Sequence, residues 1–240
     1  EFDALRDQAR DLRDHVLAHL DVYLEVYERK VIESGGHVHW ARDAQEASRI
    51  IVDLALARGA RSVAKGKSMV SEEIGLNAAL ERAGIKAVET DLGEYIIQLA
   101  GETPSHIIAP ALHLNKDEVA DLFARVHGTP RKSVIEDMTR EAREQLRGHF
   151  LSADMGVSGG NFLVAETGSV AIVTNEGNGR MVTTLPPVHV AITGIADKHS
   201  IDSSAGTYDF VTVHRELHGI DVRPPNNPRV IASRSMARHK

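Results

Sequence analysis

The chain has 240 residues, 42% of them apolar, with 28 Lys and Arg against 34 Asp and Glu and no cysteine. That is enough chain for one globular domain or two small ones, and zero cysteine excludes a disulfide framework, a thiolate zinc site, a catalytic thiol and any iron–sulfur cluster held in the usual way by this polypeptide. A net charge of -6 argues against nucleic acid as the main partner, because a phosphate-tracking surface shows as a basic excess.

Leu5, Ala9, Leu12, Val16, Leu20, Tyr23 and Tyr27 recur at steps of three and four, the stripe of one long amphipathic helix over residues 1–35. His37 to Trp40 then reads as a strand, and Asp43 with Glu46 makes a capping-box-like start to a helix reaching about Arg58. A strand near Arg61 to Lys65, a helix from about Ser71 to Ala83 closed by Gly84, and a strand from Lys86 to Thr90 follow. Next come a short helix around Gly93 to Ala100, a strand from His106 to Ala109 and a helix opened by Asn115 with Glu118 and closed by Gly128. This alternation implies a parallel sheet built from βαβ units.

Ser133 and Glu136 open one more helix, to about Phe150, after which glycine-punctuated strands are expected. They are Phe162 to Glu166, Ser169 to Thr174, Arg180 to Thr184 and Val188 to Thr193, and the links between them suit hairpins. Residues 36–196 therefore read as an α/β domain in which parallel βαβ units are followed by an antiparallel meander within one mixed sheet. Residues 197–240 form a divergent tail. Its last part, 222–240, carries five basic residues and no acidic one, with three prolines, and is expected to be loose. No apolar stretch approaches the roughly 20 residues of a membrane-spanning helix. The N-terminus is charged and amphipathic instead of a signal peptide, so a cytoplasmic protein is expected. The chain opens on Glu1 with no initiator methionine, which leaves room for an upstream piece.

In an open parallel sheet, ligands bind beyond the carboxyl ends of the strands. The loops due there carry Lys65, Lys67 and Ser68, then Asp91 and Glu94, then His113. The two lysines and the serine suit a phosphate or carboxylate, and they equally suit a solvated turn with a serine cap. Gly66-Lys67-Ser68 is not a P-loop, since Arg61 stands where the first glycine is required. Gly159 and Gly160 sit in a run where backbone could pass close to a ligand. Asn175 to Arg180 suits a hairpin turn first, with close approach of backbone to a ligand as the alternative. Glu166, at the edge of an apolar strand, is either exposed at the rim or functionally placed. No metal site is expected: His15 and His19 are one turn apart and His37 and His39 share a strand face, yet no third ligand stands near either pair. Hydrolase chemistry is not expected either, on the ground that no Gly-x-Ser-x-Gly elbow and no thiol nucleophile is read in the chain.

The run Gly66 to Asn77, the run Val88 to Gly101 and Pro104 to Pro110 resemble the LUD-domain family, and within it the lactate utilization protein B type. Asn161 to Gly168, Thr174 to Asn178 and Thr184 to Val190 fit the same family. The resemblance implies a NagB/RpiA/CoA-transferase-like fold and a role in a cytoplasmic complex that oxidises L-lactate to pyruvate. It further implies a cysteine-rich partner, a second LUD protein and two [4Fe–4S] clusters held by a later region of full-length members. That cysteine-rich region has no counterpart here, so no cofactor is expected within this chain. On this reading Lys65, Lys67 and Ser68, with Gly159 and Gly160, would hold a small acidic metabolite, and a base would come from Asp91, Glu94, His113 or Glu166. The alternative is a stand-alone binding domain for a phosphorylated or acidic metabolite, and a homo-oligomer is left open.

Overall fold

The N-terminal apolar stripe folds as two helices, α1 (Phe2–Ala18) and α2 (Leu20–Glu33), where the spacing predicts one. The computed structural model describes residues 2–104, 109–174 and 176–195, with the backbone of two further strands, Asp209–Glu216 and Ala232–Ser233. The helix breaks at His19, whose backbone (φ -129°, ψ 34°) departs from the helical region. Its ring lies tilted against that of His15, with centroids 4.6 Å apart, and bonds the His15 carbonyl at 2.9 Å, while His15 meets the Tyr23 hydroxyl. Both histidines are thereby engaged locally. Helix α2 buries Leu24, Tyr27 and Val31; no residue of α1 is buried, and Leu12 is 64% exposed.

Strand β1 (His37–Ala41) leads to α3 (Ala44–Ala57). The Asp43 side chain accepts from the Glu46 backbone N–H at 2.8 Å, satisfying one orphan donor of the first turn, and the Glu46 side chain accepts from the backbone N–H of Arg42, just before the cap. Strand β2 (Ser62–Lys65) is followed by α4 (Met69–Glu73) and α5 (Leu76–Arg82). Gly75, at φ +65°, separates them where one helix is expected. Then come β3 (Lys86–Glu89), α6 (Leu92–Ala100), α7 (Lys116–His127) and α8 (Ile135–Ser152). Asn115 and Glu118 form a full capping box on α7, and Gly128 ends it at φ +67°. Helix α8 starts at Ile135 behind Val134, which makes no side-chain cap, so Ser133 does not open it. The strand expected at His106 to Ala109 falls mostly outside the described residues, and Ala109 itself is not in a strand.

Strand β4 (Met155–Gly159), β5 (Phe162–Val164), β6 (Ser169–Ala171), α9 (Asn178–Thr184), β7 (Val188–Ile195), β8 (Asp209–Glu216) and β9 (Ala232–Ser233) complete the chain. The main sheet has the order β1-β8-β7-β4-β2-β3, with β9 beside β8. β7, β4, β2 and β3 are mutually parallel, and β8 runs antiparallel to β7 and β1. The architecture is α/β, as expected, but the second half is not a meander within that sheet. β5 and β6 form a separate two-stranded hairpin, and β7 pairs in parallel with β4. Arg180 to Thr184 is helical: Gly177, at φ +88°, turns the chain into α9, which buries Val182. Strand β8 lies within the tail, where the sequence predicts no strand; apart from β9, residues 222–240 lie outside the described residues.

Helices α3 and α5 cover one face of the sheet, with Ile51, Leu76 and Leu80 fully buried against Val63, Met155 and Val190. Helices α6 to α9 cover the other through Phe123, Leu146 and Val182, and α2 with the hairpin covers it beside β7. Each fully buried aliphatic side chain of this kind contributes about 2 kcal/mol by removal from water. Asp154 fixes the entry to β4 by accepting from the backbone N–H groups of Arg61 and Ser62 at 2.8 and 3.0 Å.

Candidate functional site

Because β7, β4, β2 and β3 are parallel, their carboxyl ends share one edge. The connection leaving β2 runs to β3 on one side, while that leaving β4 runs to β7 on the other. The gap beyond β2 and β4 is thus the switch point at which open α/β sheets hold ligands. A cavity of about 1360 Å³ opens there. Gly66 to Ser68, Ser158 to Asn161, Asp91 and the α9 residues Asn178 and Gly179 line it, and Arg10 and Arg13 of α1 stand over it.

Lys67 and Asp91 therefore do meet at one edge. Lys67 Nζ lies 2.6 Å from Glu94 Oε1, with Glu94 buried behind it on the first turn of α6. Burial alone would lower the Lys67 pKa, but the Glu94 hydrogen bond and the charges of Glu94, Asp91 and Glu72 outweigh it and raise the value. Burial first, and then the hydrogen bond and charge of Asp91, push the Glu94 carboxyl up to about 7 against the pull of Lys67. Glu94 Oε2 has no hydrogen-bond partner among the described residues. Glu176, beside the cavity, is raised too, by burial and then by Asp91. At the strand ends Lys67 is embedded among carboxylates, one of them poised near neutrality, which is the condition for proton transfer at ordinary pH.

The remaining expected residues divide. Ser68 is buried and lines the cavity, yet its hydroxyl caps α4 by accepting from the Ser71 N–H at 3.2 Å. Helix α4 has only five residues, and Asp91 accepts from the Gly93 N–H at the start of α6, so Lys67 is the main anion-attracting group at these two junctions. A Cβ on Gly159 would lie 3.3 Å from the Ser68 side chain, and one on Gly160 2.7 Å from Thr193 and Val170, so both glycines serve close packing at the cavity wall. Lys65 does not reach the cavity. Strand alternation turns it onto the α5 face, where Nζ bonds Glu89 Oε1 at 2.6 Å and Asn77 Oδ1 at 2.7 Å with 1% of the residue exposed. His113 is also elsewhere, paired with Glu102 at 2.7 Å. Glu166 is exposed on the β5–β6 turn, which Gly168 presses against the backbone of Lys30 and Val31. Asn178 and Gly179, read as part of a hairpin turn, belong to the site; their signal was the glycine flanking, which serves a helix start as readily as a hairpin. Among the described residues no group of three or more His, Asp or Glu could hold a metal ion.

The LUD domain matches residues 24–197. The chain belongs to the LUD domain family. This LUD chain is 49% identical over 190 residues to the Escherichia coli protein named "Uncharacterized electron transport protein YkgF", which covers 79% of this chain and 40% of that protein. It is 48% identical over 191 residues to lactate utilization protein B of Shouchella clausii and 46% identical over 191 residues to that of Bacillus subtilis, with the same coverage. The LUD chain thus spans about two fifths of the length of these relatives. No solved structure matches it significantly.

Proposed function

We propose that this chain acts in lactate utilization, as the substrate-binding LUD portion of a cytoplasmic iron–sulfur complex that oxidises L-lactate to pyruvate. The supporting observation is the Lys67–Glu94 pair beside Asp91 at the switch-point cavity, together with relatives named for lactate utilization. Lys67 binds the lactate carboxylate, displacing Glu94 as its partner. Glu94, with a pKa of about 7, gives up Lys67 by taking a proton as the carboxylate binds, and Asp91, which lines the cavity, takes the proton of the 2-hydroxyl group. The Cα–H bond breaks and its hydrogen leaves with the electron pair, as a hydride equivalent, to an acceptor carried by other subunits, the cysteine-rich protein and the second LUD protein. The [4Fe–4S] clusters of that assembly do not fit this chain's own donor set, which has no cysteine. What remains for this chain is binding, orientation and proton handling.

The test is lactate-dependent dye reduction by the reconstituted assembly. Omission of this chain, or Lys67→Ala within it, should abolish the signal, and an unchanged rate on omission would refute the role.

Cavity size favours a second reading. A volume of about 1360 Å³ is far larger than a three-carbon acid needs, so a phosphorylated or acidic metabolite larger than lactate is the alternative. Thermal shift across hydroxy acids, sugar phosphates and CoA esters separates the two.

A further inference from the structure

One cavity-lining group plays no part in the lactate reading. The run Gly156-Val157-Ser158-Gly159-Gly160 has Gly-x-Ser-x-Gly spacing, and Ser158 Oγ lies 2.9 Å from His189 Nε2. Ser158 stands near the carboxyl end of β4 and His189 near the start of the adjacent β7, on the same sheet face because Gly156 pairs with His189. We propose that Ser158 and His189 are a nucleophile–base pair and that the cavity takes an ester or thioester carrying an anionic group.

Several features converge. His189 is 4% exposed in a strand whose neighbours Val188, Val190, Ala191 and Ile192 are all buried and apolar, and pairing with β4 on one side and β8 on the other fixes its backbone. Ser158 is only 3% exposed, but that remnant opens on the cavity. The distance is within the reach a base needs to accept a hydroxyl proton. Gly159 and Gly160 continue the cavity wall beyond the hydroxyl, and Lys67 and Arg13 supply positive charge for an anionic substituent. Ser158 is not a strained nucleophile elbow, since no non-glycine residue among those described has positive φ. Its activation rests on the histidine.

With the ring proton of His189 on Nδ1, Nε2 accepts the Ser158 proton as Oγ forms a bond to the acyl carbon. The alkoxide or thiolate leaving group departs with that proton. Water, deprotonated by the same nitrogen, then cleaves the acyl-serine, releases the carboxylic acid and restores the hydroxyl.

An alkyl fluorophosphonate tests this without lactate or any partner: Oγ attacks phosphorus and fluoride leaves, and mass spectrometry locates the adduct. The intact chain should be modified at Ser158. Ser158→Ala should carry no adduct, and His189→Gln, checked for native circular dichroism, should label at least about 100-fold more slowly. An unlabelled wild-type chain, an adduct on another serine, or wild-type labelling of folded His189→Gln would each overturn the proposal. The wild-type measurement decides by itself if the histidine variant fails to fold. Loss of the lactate role leaves this labelling untouched, so the two readings fail separately.

Discussion

Lys67 Nζ and Glu94 Oε1 meet at 2.6 Å although one lies in the loop after β2 and the other in the first turn of α6. The pair ties two strand-to-helix junctions together, and Glu94 is nonetheless held up at about 7. Between pH 4.5 and 7 the folded protein therefore keeps a proton that the unfolded chain has released, and stability falls as pH rises through that window, by about 3 kcal/mol. Glu94→Gln removes this penalty. Denaturant melts at pH 8 should show the variant more stable than wild type by up to that amount, with the two converging below pH 4.5. A variant less stable than wild type at pH 8 would show that the ion pair outweighs the burial cost.

The same pair sets the pH dependence of anion binding. A carboxylate ligand can take over Lys67 only when Glu94 gives it up, and protonation of Glu94 is what frees it. L-lactate affinity should be constant below pH 7 and weaken by up to about tenfold per pH unit above it. Calorimetry in buffers of different ionisation enthalpy should show proton uptake on binding near pH 7.5. In Glu94→Gln both the uptake and the slope should vanish.

Much of the fold was legible because local signals agreed with the tertiary outcome. Asp43, Asn115 and Gly128 sit at helix ends exactly as their side chains or backbone freedom require, and the alternation of strand and helix up to Lys86 gave the parallel sheet. Strand β4 was not legible: Gly156, Ser158 and Gly159 are poor strand formers, and only neighbours on both sides make that segment a central strand. The site was read in part. Lys67, Asp91, Ser68, Gly159 and Gly160 converge, and Lys65 could have been excluded by period-2 alternation with buried Val63. The expectation against hydrolase chemistry overlooks the Gly156-x-Ser158-x-Gly160 spacing, and the partner His189 is 31 residues away, brought to Ser158 only by the β4–β7 register.

A second carboxylate network acts in the opposite pH direction. His127 Nδ1 meets Glu141 Oε1 at 2.9 Å, Lys132 Nζ meets Oε2 at 2.7 Å, and Thr129 also donates to Glu141; Tyr95 meets the far side of the His127 ring at 2.9 Å. This joins α6, α7 and α8. Burial would raise the Glu141 pKa, but the hydrogen bonds from Lys132, Thr129 and His127 prevail and bring it to about 2. Its contribution is present above pH 4.5 and lost as pH falls towards 2. Glu141→Gln should cost about 2–4 kcal/mol at pH 7, and its acid unfolding limb should be shallower than that of wild type.

Helix α1 buries no residue of its own but stands over the cavity. Deleting residues 2–18 should change unfolding free energy by less than about 1 kcal/mol, while anionic ligands lose affinity with Arg13; Arg10 is already paired with Asp7 and Asp11 of the same helix. A large stability loss by denaturant titration would instead make α1 part of the core.

Two glycines at neighbouring positions of β4 and the β2 junction should respond oppositely to one methyl group. A Cβ on Gly156 would lie 2.0 Å from the Val182 carbonyl oxygen and 3.2 Å from Pro186, so α9 could remain in place only if its backbone moved. A Cβ on Gly66 would meet Val157 O and Ser158 Cβ at 3.8 and 3.9 Å, ordinary contact distances. Gly156→Ala should therefore destabilise the protein by about 3 kcal/mol or more, whereas Gly66→Ala should change it by less than about 1 kcal/mol. Because α9 also carries the cavity residues Asn178 and Gly179, any folded Gly156→Ala protein should bind anions more weakly, while Gly66→Ala should not. Equal stabilities for the two variants, measured by urea titration, would mean that α9 is not pressed against β4 in solution.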